Sequence, residues 1–290
     1  MRRIKTIVIA TACALCLVPC AFAQDLHFSQ FMNSPLLTNP ANTGFIPDGD
    51  FRLGANYRNQ WASVTAFPYK TMSIFGDIQT MQNSDNTGWL GVGGVLLRDV
   101  AGSGSLTSTK VYGSVAYHQM INSGSLVSLG FNVGWANKRI NTSNLSFPSQ
   151  WNGRFFDVHN STGAPKLDVT NINYLDIQVG ANYAYFPTDK VYLNAGFSAM
   201  HVNKPRESFF DAASGVDNQI PVRYTAFING SFMVNDRVIV NPNVYASLQA
   251  KSSEIVGGLN AHYNLSGDGE KVLIAGVYYR VKDAFIPMVG

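Results

Sequence analysis

The residues that could do chemistry are five histidines, His27, His118, His159, His201 and His262, with the serines and carboxylates around them. A zinc site needs converging ligands at spacings such as H-E-x-x-H or a Cys/His set, and these histidines are scattered without such partners. Serine hydrolysis needs a nucleophile within reach of a base and an acid. Neither a G-x-S-x-G elbow nor a compact Ser/His/acid grouping is present. Gly91-Val92-Gly93-Gly94 lacks the third spaced glycine of a dinucleotide loop, and Gly267-Asp268-Gly269-Glu270-Lys271 lacks P-loop spacing. The first reads as strand glycine where side chains crowd a lumen; the second reads as a turn, and Asp48-Gly49-Asp50 as a hairpin lead-in. The sequence predicts a non-enzymatic protein with no catalytic residue, no metal and no cofactor.

Such groups need elements to carry them, and composition points to unusual ones. Charged residues make up 13% of the 290, about half the usual ~25% of a soluble domain, yet only 46% are apolar. Arg2, Arg3 and Lys5 precede an apolar run from Thr6 to Val18, and Ala21-Phe22-Ala23 is an A-x-A site, so residues 1–23 read as a secretory signal cleaved between Ala23 and Gln24. The run is too short for a spanning helix, which needs about 20 apolar residues. Cleavage removes Cys13, Cys16 and Cys20 and leaves 18 basic against 18 acidic residues. The mature chain therefore has no thiol for disulfide or metal chemistry and no basic excess for nucleic acid.

Period two dominates what remains. Val127, Leu129, Phe131, Val133 and Trp135 alternate with Ser128, Gly130, Asn132, Gly134 and Ala136, and Leu175, Ile177, Val179, Ala181, Tyr183 and Tyr185 with Asp176, Gln178, Gly180, Asn182 and Ala184. The pattern recurs at about 51–57, 70–78, 89–97, 107–119, 191–202, 222–234, 238–249, 254–263, 272–280 and 284–290, giving about twelve strands. Many match the 9–11 residues with which a tilted strand crosses a bilayer. Charges (Asp176, Lys138) fall on the non-apolar face, as expected if that face lines a wet lumen and the other meets outer-membrane lipid. Connections 58–69, 98–106, 139–172 and 203–221 alternate with 79–88, 120–125, 186–190 and 235–236, and the longest fall in the first set, the asymmetry of barrels with long external loops. The fold class is all-β: a transmembrane antiparallel up-and-down β-barrel over 51–290, preceded by an N-terminal periplasmic segment, 24–50. Ala284 to Gly290 starts a strand and stops without a terminal aromatic. The expectation is a barrel truncated at its C-terminus, with about 12 strands visible and about 14 in the complete protein.

One motif is not explained by composition: Gln24-Asp25-Leu26-His27-Phe28-Ser29-Gln30-Phe31-Met32-Asn33-Ser34-Pro35-Leu36-Leu37-Thr38-Asn39-Pro40-Ala41-Asn42-Thr43-Gly44. Its physical reading is a capped turn in which Pro35 and Pro40 break extension while Phe28, Phe31 and Leu36 pack at the barrel mouth. With Tyr57-Arg58-Asn59-Gln60-Trp61, Pro68-Tyr69 and Gly88-Trp89-Leu90-Gly91-Val92-Gly93, it resembles the start of the PorP/SprF family of Bacteroidetes type IX secretion membrane proteins. Asn42 and Thr43 depart from the aromatic or small residues often found there. The resemblance implies an outer-membrane barrel that works with type IX secretion and gliding components and helps export, or hold at the surface, a large secreted adhesin-like protein. Its motif positions here are Asp25, Phe28, Ser29, Gln30, Phe31, Pro35, Asn39, Pro40, Ala41 and Gly44. The alternative reading is a passive outer-membrane channel or hydrophobic-solute transporter. Candidate partner-binding residues are Phe147, Trp151, Arg154, Phe155 and Phe156 in one long loop and Arg206, Phe209 and Phe210 in the other, residue types enriched at interface hot spots. Inward folding of these aromatics as a cap on the barrel is an equally weighted reading.

Overall fold

The structure is a computed structural model that describes residues 28–290 apart from 48, 86, 143–144, 164–166 and 211–217. The signal segment, the cleavage site Ala23–Gln24 and the motif residue Asp25 lie outside the described residues.

Alternating apolar and small or polar residues give twelve strands. They are β1 (Phe51–Gln60), β2 (Tyr69–Thr80), β3 (Gly88–Ala101), β4 (Leu106–Asn122), β5 (Ser125–Arg139), β6 (Asn171–Thr188), β7 (Val191–Met200), β8 (Arg223–Asn235), β9 (Val238–Gln249), β10 (Ser252–Asn264), β11 (Val272–Arg280) and β12 (Ala284–Val289). Each pairs antiparallel with the next in one sheet, so the order in space is the order in sequence. β1 and β12 are its two unpaired edges.

Register puts every apolar alternate on one face. In β5, Leu129, Phe131, Val133 and Trp135 are exposed on the outside while Ser128, Asn132 and Ala136 are buried on the inside. Leu175, Val179 and Tyr183 of β6 repeat this against Asp176, Gln178 and Asn182. A soluble sandwich would bury its apolar face; here that face is turned out, as in a membrane barrel.

Strand parity places connections 61–68, 102–105, 140–170, 201–222, 250–251 and 281–283 at one end, and 81–87, 123–124, 189–190, 236–237 and 265–271 at the other. The two longest therefore share a mouth. Their described parts meet at one point and the strands beside them at another: the backbone amides of Asp168 and Val169 donate to the Phe209 carbonyl, while Glu207 pairs with Lys138 of β5 and accepts from the Tyr174 hydroxyl of β6 at 2.8 Å.

The lumen is where the structure departs from the sequence reading. Residues 31–45, expected at the mouth, run down the inside of the sheet as short helical turns Phe31–Asn33, Pro35–Thr38 and Pro40–Asn42. Pro35 and Pro40 each open a turn, where a missing N–H costs nothing. The expected wet inner face is filled across much of its height: Ser114, His118, Ser128, Asn132 and Asp176 are all at most 1% exposed. Among the described residues, each cluster of buried hydrophobic side chains includes one from this segment. Phe31 packs with Phe227, Tyr245, Val256 and Tyr278; Leu36 with Phe75, Val95 and Tyr112; Phe45 with Leu126 and Ala184. Burying such a side chain contributes about 1.5–3 kcal/mol, so the segment is the core of the barrel.

Candidate functional site: a plugged lumen beneath a loop rim

The wall is cut to receive the segment's backbone. A Cβ on Gly130 would lie 2.3 Å from the Ala41 nitrogen and the Pro40 carbonyl carbon, and one on Gly180 would lie 1.9 Å from Asn39 Oδ1. Gly91, read from sequence as a strand glycine in a crowded lumen, faces the Thr43 carbonyl oxygen at 2.0 Å from the same ideal position. The crowding group at Gly130 and Gly91 is the segment's main chain.

Polar contacts then fix its register. Asn39 accepts from the Ala41 amide at 2.9 Å and donates to the carbonyls of Ala181 at 2.9 Å and Phe197 at 3.3 Å. Ser198 Oγ donates to the Thr38 carbonyl at 2.9 Å, and Asn182 to Asn42 Oδ1 at 3.0 Å. Lower down, the Asp77 carboxylate accepts from the Gly44 amide at 2.7 Å and pairs with Arg52 at 2.7 Å, whose guanidinium also donates to the Asn42 carbonyl. Gly44 has φ +67°, a conformation that glycine adopts without strain. Trp89 Nε1 donates to the Gly44 carbonyl at 2.9 Å. His118, stacked between Trp89 and Phe45, meets the Thr43 carbonyl at 2.8 Å and Ser128 Oγ at 2.7 Å.

The family motif thus acquires a physical role. Phe31, Asn39, Pro40, Ala41 and Gly44 are contact residues of the plug, with Pro35 opening its helical turn. Phe28, Ser29 and Gln30 lead into it. Sequence reasoning missed the receiving residues: Arg52, Asp77, Trp89, His118, Gly130 and Gly180. The one signal was charge, at Arg52 and Asp77 on the inner faces of β1 and β2.

Two buried histidines do meet chemical partners. Asp176 is 2.8 Å from His201 Nδ1 and accepts from the Tyr112 hydroxyl at 2.6 Å. Both members of the Asp176–His201 pair are fully buried, and a general base must touch a substrate proton. The Ser128–His118 pair is equally enclosed, and its second ring nitrogen meets a backbone carbonyl instead of a carboxylate.

At the long-loop mouth, Trp151, Phe155, Phe156 and Phe210 are exposed, as are Arg154 and Arg206, while Phe147 and Phe209 are half-buried. Trp151 and Phe156 bridge a small hairpin with their rings 5.3 Å apart. Hydrogen bonds from the His159 amide and ring hold the nearby Asp157 carboxyl below its usual pKa. The loop aromatics do not fill the lumen; the N-terminal segment occupies it.

Among solved structures, the Ralstonia pickettii toluene transporter TbuX is similar at 14% identity, covering 89% of this chain and 83% of that one, with a TM-score of 0.49. The Pseudomonas putida toluene transporter TodX is similar at 12% identity, covering 87% and 80%, with a TM-score of 0.46. The beta domain of the Bordetella autotransporter Brka is similar at 14% identity, covering 83% and 95%, with a TM-score of 0.39. No curated protein matches the sequence. The family model for type IX secretion system membrane protein PorP/SprF matches residues 21–290. With its apolar face turned outward, a plugged lumen and that match over nearly its whole length, the chain is an outer-membrane β-barrel that belongs to the PorP/SprF family of type IX secretion system membrane proteins.

Proposed function

We propose that this protein is a sealed, non-enzymatic barrel that assists export or surface attachment of a large secreted, adhesin-like protein of the type IX secretion and gliding machinery. The observation that carries the reading is the division of labour inside the fold. The lumen is filled by a segment with its own hydrogen-bond partners on most of the wall, while the exposed aromatics and arginines sit on two loops at one mouth. Nothing about that arrangement favours turnover: the enclosed Asp176–His201 and Ser128–His118 pairs support a structural role. The outer band, including Leu129, Phe131, Leu175 and Val179, meets lipid, and the long-loop mouth faces outward, as in barrels with short periplasmic turns.

The partner docks on Phe147, Trp151, Arg154, Phe155 and Phe156, joined by Arg206, Phe209 and Phe210. Deleting 147–156 is expected to leave the barrel inserted, with its heat-shifted gel mobility, and to abolish surface display of the secreted partner. Normal display from an inserted deletion variant would remove the loop from the docking site.

A second reading has one observation in its favour. At the short-turn end, below Phe45, a cavity of about 760 Å³ is lined by Trp89, Met120, Leu126, Phe186 and Tyr192, a size and lining suited to a small apolar solute. The plug roofs it, so binding there does not provide passage. Liposome swelling separates the two readings: a barrel sealed to sugars supports the anchor, and solute flux through the purified protein supports a channel.

A further inference from the structure

The path of the N-terminal segment has a direction. Its upper end is pinned at the long-loop mouth twice. Arg280, the last residue of β11, bonds the Ser29 hydroxyl and pairs at 2.7 Å with Asp283 in the connection beyond it. Phe28 lines a small cavity with Arg223, the first residue of β8 after the loop 201–222. The segment then descends past mid-wall, where Asn56 reaches the Asn33 carbonyl at 3.0 Å, to the Trp89–His118 clamp. It leaves at the opposite mouth, where Gln79 near the end of β2 donates to the Gly49 carbonyl at 3.0 Å before β1 starts at Phe51.

We infer that the chain is threaded through its own barrel, with the mature N-terminus emerging at the long-loop mouth, the cell-surface side, and not in the periplasm. The reach of the chain decides this. Residues 24 to 29 extended span at most about 18 Å. The wall is taller even at β11, which Arg280 ends: its 9 residues run roughly 30 Å along the strand at about 3.3 Å per residue, or about 21 Å of height at the usual tilt of about 45°. Starting from Ser29 at one mouth, five residues cannot reach the other. The outward direction rests on the same loop assignment as the docking reading; the threading rests on the contacts of residues 28–49 and on a mature chain that begins at Gln24.

The mature chain has no cysteine, so single-cysteine variants give a clean readout with a membrane-impermeant maleimide. Asp25→Cys marks the N-terminus, Ser161→Cys the long-loop mouth and Ser123→Cys the short-turn mouth. Labelling of Asp25→Cys and Ser161→Cys on intact cells, with Ser123→Cys reacting only after lysis, is the expected result. Labelling of Ser161→Cys on intact cells while Asp25→Cys waits for lysis would overturn the threading. Labelling of Ser123→Cys alone on intact cells would overturn the outward direction, and the docking reading with it. A threaded pattern combined with normal display from the 147–156 deletion would leave the threading standing and remove only the docking site.

Discussion

At the scale of single residues, this barrel depends on atoms that are missing. Gly130 lets the main chain of Pro40 and Ala41 lie against the wall and Gly180 makes room for the Asn39 side chain; at Gly130 no side chain could take the glycine's place without moving backbone. Gly130→Ala therefore overpacks a site that cannot yield, at a cost of roughly 1–3 kcal/mol. Gly113→Ala on the outer face, where a Cβ would stand 3.9 Å from its nearest neighbour, is the matched control. Urea titration of the heat-shifted form in detergent should separate the two variants; equal midpoints would mean that the plug is not seated there. Residues of this kind were hard to read from sequence because their partners are remote. Asn39 meets a carbonyl 142 positions away, and its role carries no periodicity that a local window could detect. Only the resemblance singled out the segment, and it said nothing about what the segment touches.

Elements were more legible, for a physical reason. Hydrocarbon requires an apolar residue at every outward position, so Leu129, Phe131, Val133 and Trp135 print a period of two, and all twelve strands appear where that period does. Strand ends blurred because they leave the apolar band: β3 runs on through Arg98 and Asp99 to Ala101, past the point at which alternation stops. The inner face was legible as polar but not as dry. Leu129→Arg, on the exposed outer face, should cost roughly 2–4 kcal/mol in a bilayer. Ser128→Arg, which a wet lumen would accept, now meets the buried His118 contact and should also fail. Ser231→Arg, beside the open part of the lumen, should be tolerated. Bilayer unfolding measurements that ranked Ser231→Arg with Leu129→Arg would refute this assignment of faces.

For the whole molecule, fold and core have different origins in the chain. The sheet is sequential, each strand paired with the next, so its contacts are as local as a β-structure allows. The plug's contacts are among the most distant: Ser198 reaches back 160 residues to Thr38, and Arg280 reaches back 251 to Ser29. Long-range contacts form late because chain entropy must be lost before they are rewarded. The start of the segment is thus the last part to find its place, and Phe31 stays uncovered until strands as distant as β11 exist. In a variant whose other tryptophans are phenylalanine, Trp89 fluorescence should change after the far-UV signal of the strands during refolding into detergent micelles. Coincident signals would mean that the sheet condenses around the segment from the start. If the two separate, biogenesis passes through a hollow barrel, and the seal is a final, separately timed act of folding.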